Sequence, residues 1–260
     1  MKIQPVNINY SFKAKRKEVR KADDLVRKVN NEFPAFSTSY VKSFWHPINE
    51  KKFTLLEKPL LKTKSLKERT NKEIYEDKFL LGIFDEIKNN KTANCGAKSW
   101  LTLGALAANG YDIAVKSAIG VKWEAYDRRN NETILKGKTD LDHSAILTTM
   151  SNKKGKKLQD LIVIDAWLNK AMSYSEAKAE YFKLLDIKKI VDIHKQIIDK
   201  LKAEKPNEEI DLSNYNIRFN IIFGESSSKY LLPKSEDMRE FGKKVAEKYP
   251  ELILKKEKDN

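Results

Sequence analysis

Cysteine is almost missing from this chain. Cys95 is the only one in 260 residues, which excludes an internal disulfide and a cysteine-rich zinc site. Histidine is nearly as scarce, and His46, His143 and His194 are too scattered to suggest a ligand set for a metal. No run approaches the ~18 apolar residues that a membrane-spanning helix needs. The opening residues, MKIQPVNINYSFKAKRK, lack the apolar segment of a secretory signal. These absences fit a protein that is cytoplasmic, or exported without a cleavable secretory signal. With 9 glycines and 7 prolines, the chain also shows no low-complexity linker, and it has no internal repeat.

Lysine is what the chain has in excess. Lys and Arg number 51 against 37 Asp and Glu, a net charge of +14. Such a charge suits an anionic partner: nucleic acid, an acidic protein or an anionic membrane surface. The basic residues are mixed with acidic ones, however, and the bland reading is a set of solvated helix faces. At 40% hydrophobic residues, the chain can bury a proper core.

Along the chain helical and strand-like periodicity alternate. Residues 1–12 read as a flexible leader. Val19, Ala22, Leu25, Val26 and Val29 form a helical stripe over residues 13–31, whose first half has an excess of Lys and Arg that makes it a candidate for anion binding, although the stripe points to docking on a core. Residues 33–62 read as irregular structure with one short helix, with His46 in a local structural role beside Pro47. A helix is expected over 63–88, and another from Cys95 to the stop signal Asn109-Gly110. Strand alternation follows over 113–126, with residues 133–136 pairing back, a separate strand over 144–150, a basic loop over 152–157 and a buried strand over 161–167. Two helices, a strand over 217–223, a last helix over 235–249 and a frayed tail complete the chain. His194 is expected on a helix surface. The organisation expected is a leader (1–12), a helical N-terminal extension packed on the core (13–90), an α+β core with inserted helices (91–225), and a C-terminal helix and tail (226–260).

Cys95 lies in KTANCGAKSW, at or just before the first turn of a helix carrying Trp100, Leu101, Leu103 and Leu106. Unpaired N–H groups and the positive end of the macrodipole favour a thiolate there. A lone cysteine is ordinarily a small buried hydrophobe, but Asn94, Cys95 and Gly96 have polar neighbours, and Gly96 leaves room for a substrate to approach the backbone. His143 follows at the mouth of a strand, in LDHSAILTT, and Asp165 ends the apolar run LIVID. A thiol, then an imidazole to take its proton, then a carboxylate to orient the imidazole, are the parts of an activated nucleophile. Asp165 reads equally as a strand-end turn residue or cap. Asp142 should point to the other side of its strand from His143, so Asp165 is the better orienting acid.

These three motifs, Asn-Cys-Gly, Asp-His-Ser and Val-Ile-Asp-Ala-Trp, resemble those of papain-like and transglutaminase-like cysteine enzymes with Cys, His, Asp order. They are most similar to bacterial effector-type cysteine peptidases and glutamine deamidases. The resemblance covers about residues 91–167. Ala97 stands where the family usually has Glu, and Ala166 where it usually has Pro; the first removes a carboxylate that orders the site. The resemblance implies a papain-like core, with a nucleophile-bearing helix packed on an antiparallel sheet. It implies Cys95 as nucleophile, His143 as base then acid, and Asp165 as orienting group. The oxyanion hole would be lined by the Cys95 N–H with Asn94 or Asn90, unless those two are N-cap and loop residues. Trp100 and Trp167 are expected in core packing.

The function expected is a thiol-dependent hydrolase, a cysteine protease or glutamine deamidase, cutting an acyl bond of a protein or peptide through a thioester. With an amine acceptor, the same residues would make an acyltransferase or transglutaminase. A non-catalytic basic binding module and a catalytically dead relative are the competing readings. The enzyme reading expects a monomer with no cofactor and no metal, and neither nucleic acid nor membrane as partner.

Overall fold

A computed structural model describes residues 16–37, 77–111, 114–150, 160–207, 209–224 and 235–254. The leader, His46, the first part of the helix expected over 63–88, the basic loop over 152–157 and the C-terminal tail lie outside the described residues. The fold is α+β. Among the described residues, six α-helices accompany a two-stranded parallel ladder and a larger open sheet of antiparallel pairs. In chain order the elements are α1 (Arg16–Glu32), β1 (Phe36–Ser37), α2 (Asp77–Asn90), β2 (Thr92–Ala93), α3 (Cys95–Ala108), β3 (Ala114–Asp127) and β4 (Thr133–Thr148). They continue with β5 (Ile162–Asp165), β6 (Lys170–Ser173), α4 (Tyr174–Phe182), α5 (Ile187–Glu204), β7 (Tyr215–Phe223) and α6 (Ser235–Lys248). The larger sheet has the order β6-β5-β4-β3-β7. No helix among the described residues is long and apolar enough to cross a membrane.

The chain divides into two compact units. The unit that holds Cys95 contains the described parts of Lys13–Ser117, Ser144–Tyr174 and Glu225–Asn260. Its core is helical: Leu25, Val26 and Val29 of α1, Leu80, Phe84 and Ile87 of α2, Leu103 and Leu106 of α3, and Phe241 and Val245 of α6 are all buried together. Ile146, Ile162 and Ile164 add the sheet's share of that core. The stripe read from the sequence of α1 is the one that buries, with Ala22, Leu25, Val26 and Val29 inside. In α3 the residues from Lys98 to Ala107 are all buried, so this helix runs through the middle of the unit rather than over its surface.

The unit that holds His143 contains Ala118–His143 and Ser175–Gly224. Here β7 pairs antiparallel with β3, Trp123 opposite Phe219 and Ala125 opposite Ile217. Ile193, Ile197 and Leu201 of α5 pack on Trp123, Ala125 and Ile217. Gly137 on β4 lies against the Trp123 indole, where an added Cβ would come within 2.5 Å of the ring.

Two sequence readings change. The strands expected over 133–136 and 144–150 are one continuous strand, β4, because the polar GKTDLD segment between them is β-structured as well. The strand expected over 161–167 stops at Asp165, and the chain turns back at once into β6, which the sequence did not suggest. Asp165 makes that turn, its Oδ1 accepting the N–H groups of Trp167 and Leu168 at 3.0 Å each. Asn169 completes it at φ 53°, a left-handed conformation that asparagine tolerates.

Candidate active site

Cys95 is the first residue of α3 and is partly buried. Asn94 is the N-cap: its Oδ1 accepts the Ala97 N–H at 2.7 Å, and its carbonyl accepts the Lys98 N–H at 3.0 Å. Of the two roles open to Asn94, the structure fills that of a cap. Gly96 serves the same cap, since a Cβ there would come within 3.2 Å of Asn94 Oδ1. Ser99 fixes the next turn; its hydroxyl reaches the Cys95 carbonyl at 2.8 Å and the Ser144 carbonyl at 3.0 Å. The start of α3 is therefore held to Ser144, the residue that follows His143 in β4. Asn90, the other oxyanion-hole candidate, ends α2 on the surface, where its Nδ2 donates to Glu86 Oε2 at 2.5 Å.

A cation stands near the thiol. Lys116 on β3 is partly buried, with its Nζ 5.4 Å from the centre of the Trp100 ring. Burial pushes its pKa below the usual lysine range, and the negative charge of a Cys95 thiolate pulls it back up. Trp100 is in the core, as expected, while Trp167 is only partly buried.

Asp165 is 1% exposed at the end of β5. It is the turn-forming residue of the alternative reading, which leaves an orienting role compatible with it. Lys98, one turn into α3, is 8% exposed, and its Nζ donates to Asn30 Oδ1 at 3.2 Å. Burial lowers the Lys98 pKa, and the Asp165 charge offsets part of that shift. His143 is buried on β4 in the other unit, its ring 5.4 Å from that of the fully buried Tyr181 of α4. Tyr181 in turn packs edge-on to Phe223 of β7. Cys95 and Asp165 thus belong to one unit, and His143 belongs to the other. His194 lies on α5, its Nδ1 2.7 Å from the Ile190 carbonyl, in the helix-surface role expected.

Lys98, Lys116 and Asn30 were not singled out in the sequence. Lys98 did leave a signal, being the one charged residue of CGAKSWLTLGALAA. Asn30 and Lys116 left none, because a polar residue late in a helix or partway along a strand is ordinarily a surface residue. No group of three or more His, Cys, Asp or Glu able to hold a metal occurs among the described residues. No family model, curated protein or solved structure matches the chain.

Proposed function

We propose that this protein is a thiol-dependent hydrolase with a papain-like or transglutaminase-like core, acting on an acyl bond of a protein or peptide. The observation that carries the reading is the setting of Cys95: a partly buried cysteine at the Asn94-capped start of a buried helix. A structural cysteine has no need of that setting. The motif resemblance around Cys95, His143 and Asp165 supports it independently.

In this mechanism His143 takes the Cys95 proton, and the thiolate attacks the acyl carbon. The Cys95 N–H at the helix start stabilises the oxyanion, and the helix dipole adds to it. The C–N bond then breaks as His143 returns the proton to the leaving amine. That amine is a peptide N-terminus in a protease, or ammonia from a glutamine side chain in a deamidase. Water, deprotonated by His143, hydrolyses the thioester. Asp165 orients the imidazole. An amine in place of water turns the same steps into acyl transfer.

The deciding measurement is the rate of Cys95 alkylation by iodoacetamide against pH, in the native protein and in His143→Ala. A free thiol titrates near ~8.5, and one paired with an imidazolium several units lower. We expect fast alkylation below pH ~7 in the wild type, and a loss of about 100-fold at that pH in the variant. A Cys95 that reacts only after denaturation would mark it as a core residue and end the hydrolase reading.

A further inference from the structure

The hydrolytic steps leave the buried Lys98 without a role. Lys98 is the only charged residue of α3, a helix otherwise buried in apolar packing, and it is 8% exposed. Burying an ammonium is costly unless a partner compensates, and a methionine of similar length would avoid the cost. Lysine at this place therefore asks for a reason.

Its partners supply one. Lys98 Nζ donates to Asn30 Oδ1 at 3.2 Å. Asn30 Nδ2 donates onward to the Ala166 carbonyl at 2.9 Å and to Asn169 Oδ1 at 2.8 Å. Both acceptors lie in the turn that Asp165 builds with its own Oδ1. The chain Lys98–Asn30–Ala166 thus joins the first turn of the Cys95 helix to the turn beside Asp165. Asn30 carries the connection from Lys98 to the turn, and the charge of Asp165 offsets part of the effect of burial on Lys98.

We propose that Lys98 is a positioning residue of the Cys95 site, tying the nucleophile helix to the β5–β6 turn through Asn30 and balancing the buried charge of Asp165. This rests on the hydrolase reading above. Other charged groups lie on the elements packed here. Asp23 of α1 is held by Arg27 and the Ala171 N–H. On α2, Asp85 pairs with Lys248 and Lys88 with Glu251. Lys170 lies opposite Asp165 in the β5–β6 ladder, and Lys116 stands over Trp100. Lys98 is the one that reaches the turn through a neutral bridge.

Removing a cation raises the proton affinity of the groups around it. In Lys98→Met, the midpoint of the Cys95 alkylation profile should therefore move up by about 0.5 to 1 pH unit. Lys98→Arg keeps the charge and should restore the wild-type midpoint. Asn30→Ala cuts the bridge but keeps the charge, and should lower the rate by about 3- to 10-fold with the midpoint unmoved. A Lys98 that served only packing would change the melting temperature and neither of these. Folding of each variant is checked by circular dichroism. If Lys98→Met does not fold, Asn30→Asp substitutes for it, since a carboxylate beside Nζ should move the midpoint in the same direction. A folded variant of either kind with the wild-type midpoint would overturn this inference alone. A wild-type Cys95 inert in the native protein would overturn both this inference and the reading on which it rests.

Discussion

Several carboxyls in this structure are held below their ordinary pKa by their partners. Asp127 ends β3 beside the turn into β4 and is gripped by Arg129, whose Nε donates to Oδ1 at 3.0 Å and whose Nη2 donates to Oδ2 at 2.5 Å. Those bonds, helped by the Arg129 backbone N–H, hold the carboxyl at about 2, below its ordinary 3.8. Its folded pKa is depressed, so its contribution to stability is present above about 3.8 and is lost as the pH falls through about 2. We expect the melting temperature of the wild type to fall across that window more steeply than that of Asp127→Asn. Equal slopes in differential scanning calorimetry would show that the Arg129 grip adds nothing to folding. Asp85 is held low in the same sense: burial alone would raise it, but bonds from Lys248 and Tyr249 outweigh that. Burial lowers the pKa values of Lys116 and Lys98, each against the opposing charge of a different neighbour. The first shares its field with the Cys95 thiolate and the second with Asp165.

At the scale of the element, α3 illustrates how propensity and packing compete. Glycine in a helix interior costs about 1 kcal/mol relative to alanine, and α3 nevertheless keeps Gly104 at its centre. A Cβ there would lie 2.5 Å from the Phe84 ring of α2 and 3.4 Å from Phe241 of α6. Overpacking of this kind costs about 1–3 kcal/mol, so packing wins and Gly104→Ala should destabilise. Gly82 of α2 is the control, because a Cβ there meets nothing within 4 Å. Gly82→Ala should stabilise by about 0.5–1 kcal/mol. Urea denaturation of the two variants gives both signs in one experiment, and the same sign in both would contradict the packing argument. The cap of α3 was legible in the sequence as Asn94 ahead of an apolar run, although the sequence did not decide between capping and an oxyanion role. The cap bond from the Ala97 N–H to Asn94 Oδ1 establishes the capping role.

For the whole molecule, the positive charge is the feature most open to misreading. A net +14 invites a nucleic-acid function. Several of the lysines are engaged locally instead, Lys183 with Glu180, Lys189 with Asp186, Lys200 with Glu204 and Lys244 with Glu240, each pair within one helix or its cap. Such pairs are the mark of solvated helix faces. We expect no saturable binding to a DNA duplex at about 0.15 M salt when followed by fluorescence anisotropy. Saturable binding that weakened steeply with salt would instead favour the binding-module reading.

Local patterns carried much of this protein. Helical spacing marked α1, α3 and α6, strand alternation marked β3 and β7, and polar surroundings set Cys95 apart from a core cysteine. These properties depend on neighbours three, four or two residues away, which the sequence displays directly. Tertiary structure alone decided the rest. It made β4 continuous through a polar segment, because strand pairing satisfies a backbone that side-chain polarity would assign to a loop. It turned the chain at Asp165 into β6, since one carboxylate takes two N–H groups there. It also joined Lys98 to Asn30, residues 68 positions apart. No local period can report such a pairing; it exists only once α1 and α3 are packed and a buried ammonium must find an acceptor.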